Sequence, residues 1–278
     1  MSRRGHGGCL GAGPRVRLAA RAGVGVEKVL EELERAGARA TFFVTGRLGQ
    51  EQPEVVRRIA EAGHEVGAQT LTPGALVEVS PENFQKQLQQ TKAILEDVAG
   101  ARVTGFRAPD FSMVRETLWA LEVVIRLGFE YDSSIMPVHH EDFGVPEARP
   151  RVHWARSLEG QTIAEAPPLT VGRKEHRIPL GACPYLRFWP AGLVRQVIRR
   201  ENRRGEAAVL SFNTWEFDPG QERLEMPLGA RVVQYYNLSR TKHKLRFFLK
   251  HEEWGTIGEV VKIQLPAEMN QEGTKDTK

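Results

Sequence analysis

Residues Gly63 to Pro73, GHEVGAQTLTP, run from a short apolar strand into a polar loop, with Gln69 and Pro73 four positions apart. Four apart on a tight turn is a spacing at which two side chains converge on one ion. Gln69 offers only a neutral amide oxygen and Pro73 no donor, so as they stand the two make a poor ion site. Other chemically able groups follow apolar runs in the same way: Arg107-Ala108-Pro109-Asp110, Tyr131-Asp132-Ser133-Ser134 and Asn213-Thr214-Trp215-Glu216. His139, His140, Glu141 and Asp142 are ligand-competent side chains in a row. Adjacent side chains in an extended chain project apart, so the plain reading is a solvated loop and the sharper one a metal site.

The elements that must position these groups are legible in the apolar pattern. Val29, Leu30, Leu33 and Ala36 recur at helical spacing in VEKVLEELERAG, with Gly37 as the stop. Ala40 to Thr45, ATFFVT, is a continuous apolar run of the kind found in strands buried on both faces. Pro53 opens a second helix, and Ser80-Pro81-Glu82 supplies the cap and first turn of a third that ends at Gly100. Further strands are predicted at 103–106, 129–131, 162–166 and 207–212, and helices at 115–127, 191–204 and 239–250. Residues 136–189 read as mostly irregular. Helices alternating with short strands predict repeated βαβ units, in which successive strand ends converge on one pocket.

Hydrophobic content of 41% and charged content of 27% are those of an ordinary globular protein. The formal net charge of +4 does not point to nucleic acid. Arg3, Arg4, Arg15, Arg17 and Arg21 all precede the first acid, Glu27, and without them 34 basic residues stand against 35 acidic. Ser2-Arg3-Arg4 is followed by no hydrophobic region, and no apolar run reaches membrane-spanning length, so no export signal or membrane span is expected and the default compartment is cytoplasmic. Cys9 and Cys183 show no metal-binding spacing. The boundaries this suggests are a leader over 1–25, one domain over 26–260 and a polar tail over 261–278.

With these residues in hand, the chain resembles the polysaccharide deacetylases of the NodB-homology type (carbohydrate esterase family 4), in particular their exopolysaccharide-locus branch. The matching blocks are GHEVGAQTLTP, ATFFVTG, Arg107-Ala108-Pro109, Tyr131-Asp132-Ser133-Ser134 with His140 and Gly144, and LSFNTWEFDP. The resemblance implies an α/β fold, a (β/α) barrel, and hydrolysis of N-acetyl groups on sugar polymers with a divalent metal such as zinc. It implies that two metal-binding His stand where this chain has Gln69 and Pro73, that Arg107 lines the groove and orients the base, and that the acid His is replaced by Asn213. Relatives also place a first strand ending in two Asp before ATFFV. With no acid before Glu27, a distorted or incomplete barrel lacking that strand is expected, and its exposed edges predict low stability or self-association.

Amide hydrolysis needs an acidified water, a base and an acid for the leaving nitrogen. The expected protein is therefore a deacetylase-like pseudoenzyme of carbohydrate metabolism with no cofactor of its own. The alternative is an active N-deacetylase with unrecognised ligands, drawn from His139 to Asp142. The implied partner is an N-acetylated glycan, with Asp110, Tyr185 and Trp215 as substrate-binding candidates. Tyr185 and Trp215 fit sugar stacking and core packing equally well, Arg107 and Asp110 could form a plain ion pair, and His64 reads as structural.

Overall fold

The apolar spacing of VEKVLEELERAG forms helix α1 (Ala22–Ala36), which buries Val26, Leu30 and Leu33 and ends where Gly37 turns left-handed at φ 61°. It starts inside the segment set apart as a leader. The computed structural model describes residues 21–140, 143–218, 220–221, 223, 225 and 227–266. The expectations for residues 1–20 and for the end of the tail lie outside the described residues.

Strand β1 (Thr41–Val44) is followed by α2 (Gly46–Glu51), a short helix absent from the sequence reading, and by α3 (Pro53–Glu61), opened by its proline. Strand β2 (Glu65–Ala68) leads to α4 (Pro81–Ala99), where the Ser80 hydroxyl accepts from the Asn83 amide as a cap should. Next come β3 (Gly105–Phe106), α5 (Ala120–Arg126) and β4 (Tyr131–Asp132). Residues 115–117 form a separate 3-10 turn, so the helix expected from 115 is shorter. The nominally irregular stretch holds β5 (His153–Arg156), β6 (Thr162–Glu165), β7 (Thr170–Val171), β8 (Ile178–Pro179) and α6 (Tyr185–Phe188). The carboxyl part is helical: α7 (Ala191–Asn202), α8 (Leu228–Tyr235), α9 (Thr241–His251) and α10 (Ile257–Gln264), the last running past the boundary expected at 260. Among the described residues no helix is long and apolar enough to cross a membrane.

The main sheet has the order β1-β2-β3-β4-β6-β5, parallel except for β5 against β6. Beyond β6 the pairing thins to two parallel bridges, Pro168 with Val209 and Ala182 with Ser211, so the predicted 207–212 strand is held at two points. Among the described residues no ladder joins that segment to β1, and the barrel is open there.

Side-chain alternation makes two layers. Phe42, Val44, Val66 and Phe106 pack outward against α1, α3 and α4. Tyr131, Ala164, Ala166 and Val209 fill the inside, with Val261 of α10 beneath them. Tyr131 lies so close to Gly105 that a Cβ there would sit 2.1 Å from its ring, so β3 must carry glycine at that point. Helix α10 closes the floor: Ile257 N donates to Thr41 Oγ1 (2.8 Å) and Gly258 N to Glu65 Oε2 (3.1 Å).

Candidate functional site

The carboxyl ends of β2 and β3 open on one cavity of about 1790 Å3, which also runs along β1 from Thr41 to Phe43. Of the residues singled out from sequence, Gln69, Arg107, Asp110, His140, Tyr185, Asn213 and Trp215 line it. Pro73 does not, because the 69–75 loop bends on itself, with the Thr70 hydroxyl donating to Thr72 O (2.7 Å). The pair four positions apart therefore does not converge.

Arg107 leaves β3 into the interior and is almost wholly buried. Its Nε donates to Ser133 O (2.9 Å), its Nη2 to Ser133 Oγ (2.6 Å) and its Nη1 across the interior to Ser211 Oγ (3.0 Å). The guanidinium also lies 4.3 Å from the Phe43 ring centre and 5.3 Å from that of Phe111. Burial lowers its pKa to about 10, which leaves it charged at neutral pH. Asp110 and Phe111 turn left-handed in succession (φ 54° and 55°), a strained backbone that swings both side chains to the cavity wall.

On the face of the sheet opposite Tyr131 and Ala164 lies a pair of acids that the sequence alone does not join. Asp132 on β4 and Glu165 on β6 are register partners, both fully buried. Burial pushes Glu165 well above the usual carboxylate range, and the charge on Asp132 pushes it further, so Glu165 holds a proton and donates it to Asp132. Asp132, raised by burial and lowered by its hydrogen bonds, accepts from Ser134 N (3.2 Å) and Ser134 Oγ (2.5 Å). Glu165 Oε1 accepts from Ile135 N (3.1 Å). The available signal was an acid inside each of two strands that the pattern made buried.

A second acid cluster lies under the 213–217 turn. Glu216 is raised by burial and held down by Arg187, whose Nε is 3.6 Å from Oε2. Cys183 Sγ donates to Glu216 Oε2 (3.1 Å) and Asn213 Nδ2 to Oε1 (3.3 Å). Burial and the neighbouring carboxylate push the Cys183 thiol well up, so it stays protonated. Arg187 also donates to the carbonyls of Val233 (2.8 Å), Gln234 (2.9 Å) and Tyr236 (2.9 Å), and its guanidinium lies 5.6 Å from the Trp215 ring. Asn213 is thereby an orienting amide, without a titratable group.

Among the described residues the donor set does not fit a divalent metal. Gln69 is a neutral amide, Pro73 lies off the cavity wall, and among the described residues no three His, Cys, Asp or Glu side chains converge. His140 reaches the cavity but is stacked on Phe143 at 3.7 Å, while His139 is exposed; Glu141 and Asp142 lie outside the described residues. His64 sits at the opposite, amino end of β2 against Phe42, its basicity lowered by burial and by Arg39, as a structural residue.

A family model for polysaccharide deacetylases matches residues 22–131, and one described as a domain of unknown function (DUF3473) matches 133–262. A Bacillus cereus peptidoglycan-N-acetylglucosamine deacetylase is 32% identical over 96 residues, which are 34% of this chain and 35% of that protein. A Helicobacter pylori peptidoglycan deacetylase is 28% identical over 143 residues, 50% of this chain and 46% of its own. The chain thus spans less than half the length of these curated relatives. A crystal structure from Mycobacterium smegmatis, assigned to the polysaccharide deacetylases, superposes with a TM-score of 0.58 at 21% identity, covering 88% of this chain and 78% of its own, a likeness of fold.

Proposed function

Because this chain belongs to the polysaccharide deacetylase family, we propose that it binds an N-acetylated glycan in its cavity without hydrolysing it, as a pseudoenzyme of carbohydrate, specifically exopolysaccharide, metabolism. The observation that carries this reading is the donor set at the cavity wall: Gln69 and Asn213 stand where the family resemblance calls for a metal-binding and a proton-donating His, and Pro73 lies off the wall. An amide neither replaces an anionic or imidazole ligand nor gives up a proton at neutral pH. The cavity keeps what a sugar needs. Tyr185 and Trp215 present half-buried aromatic faces for pyranose stacking, and Asp110 and Asn213 add polar edges.

The test is acetate release from an N-acetylglucosamine oligomer in the presence of added zinc or cobalt, alongside calorimetry of oligomer binding. No release above blank, with saturable binding that weakens about tenfold in Trp215→Ala, is the expected result. Release that depends on the added metal would overturn the inactive reading. The position of His140 on the same wall favours one second reading, an active deacetylase with a rebuilt ligand set. It requires that His140→Ala abolish both metal uptake and acetate release.

A further inference from the structure

Aromatic side chains follow one another from the cavity wall to the outer surface. His140 stacks on Phe143 at 3.7 Å, and Phe143 lies 6.1 Å from Tyr185 between ring centres. Tyr185 and Phe188 stand three apart in α6, which puts them on one face of that turn. Phe188 then lies parallel to Tyr236, with 4.6 Å between centres and 7° between planes, an offset stack. The first four of these rings line the cavity and Tyr236 does not, so the series leaves the cavity at Phe188. All five lie within 133–262, the stretch matched by the domain of unknown function.

The outermost pair is exposed and yet held in place. Phe188 is 42% and Tyr236 46% exposed, and stacking covers only one face of each ring. Arg187, next to Phe188 in the chain, is buried, and its donations to the carbonyls of Val233, Gln234 and Tyr236 tie α6 to the end of α8. In return Asn237 Nδ2 donates to Arg187 O (3.1 Å), and Lys244 Nζ donates to the carbonyls of Leu186 (2.9 Å), Arg187 (2.7 Å) and Trp189 (2.6 Å). The backbone on each side of the stack is therefore fixed, and the two rings are ordered before any ligand arrives.

We propose that this series is a track for a glycan chain, on which Phe188 and Tyr236 hold a sugar residue outside the cavity. The inference rests on glycan binding in the cavity and extends it: the ligand is a polymer longer than the cavity, and the 133–262 part of the chain grips it. A pyranose offers an apolar C–H face of one ring's size and a hydroxyl rim that stays in water, which suits aromatic rings in single file. A docked helix or a lipid surface needs a broad apolar face instead. Such a partner would draw in Leu228 and Val232, which are exposed on α8 two turns and one turn before Tyr236.

The experiment titrates the full chain with the disaccharide, tetrasaccharide and hexasaccharide of N-acetylglucosamine by calorimetry. The hexasaccharide is expected to bind at least about tenfold more tightly than the disaccharide. Phe188→Ser and Tyr236→Ser together should return it to the affinity of the disaccharide, whose own binding stays unchanged, while Val232→Ser alters neither. Should the serine variant unfold, Phe188→Leu with Tyr236→Leu keeps apolar bulk without a flat ring and should show the same loss. Equal affinity at every length in the parent would overturn the track and leave binding in the cavity standing. A loss in Val232→Ser as large as in the double variant would also overturn it, assigning the surface to a broad apolar partner. No binding at any length would overturn the track and the glycan-binding reading together.

Discussion

Two of the places where the protein buries carboxylates neutralise them by opposite means. Glu165 meets another acid, Asp132, and the pair is kept soluble in the interior by a shared proton and by Ser134 and Ile135 donors. Glu216 meets a cation, Arg187, together with the Cys183 thiol and the Asn213 amide. The first arrangement is sensitive to pH and tolerant of losing a charge. The second is the reverse, because removing one member leaves an uncompensated ion in a dry place.

That contrast is broken most severely at Arg187. Arg187→Met strands Glu216 and leaves the carbonyls of Val233, Gln234 and Tyr236 without their donor, with an expected loss of about 3–5 kcal/mol in urea unfolding. Adding Glu216→Gln should recover part of that loss, and a double-mutant cycle showing simple additivity would remove the coupling. Arg107→Met takes three hydrogen bonds from Ser133 and Ser211 but leaves no carboxylate unpaired, since Asp132 and Glu165 hold a proton between them. About 1–3 kcal/mol is expected, measured in the same way. Cys183→Ala deletes one donor to Glu216 and should cost about 1 kcal/mol.

Glu165→Gln should be the mildest, since an amide can still accept from Ile135 and donate to Asp132. Its effect is on pH dependence. Glu165 has a folded-state pKa well above its ordinary value of 4.5, so the native state holds a proton that the unfolded chain has released. The stabilisation is complete below about 4.5 and is lost as pH rises toward and through the raised value, at up to about 1.4 kcal/mol per pH unit. Glu165→Gln should flatten this part of the stability profile and equal or exceed the parent at neutral pH. A profile with the same slope in both proteins would show that the pair does not share a proton.

How much could be read beforehand follows the range of the forces involved. Ser80 as a cap, Pro53 and Pro81 in first turns, and Gly37 and Gly100 as left-handed stops act within a few residues, and each lies where the sequence reading placed it. Thr256 with Glu259 is an equally local capping box that the reading passed over, and with it α10. The strand pattern of 207–212 was apparent from composition, yet its pairing at only Val209 and Ser211 depends on neighbours dozens of residues away. The site divides in the same way. Arg107, Asn213 and Trp215 were visible as motif residues at strand ends. The pairing of Asp132 with Glu165 needs the β4-β6 register, and the meeting of Cys183, Arg187 and Glu216 needs two loops to fold over each other. Gln69 and Pro73 show the limit of spacing as evidence, because a loop that turns through Thr70 and Thr72 separates side chains four apart.

Helix α10 ties to Thr41 and Glu65, near the beginning of the described chain. During synthesis the amino-terminal strands leave the ribosome long before residues 257–264 exist to seal the bottom of the barrel. Tyr131 and the apolar neighbours that follow it must therefore wait over an uncovered base until residues 257–264 have been made, an interval in which a folding helper has its most useful target.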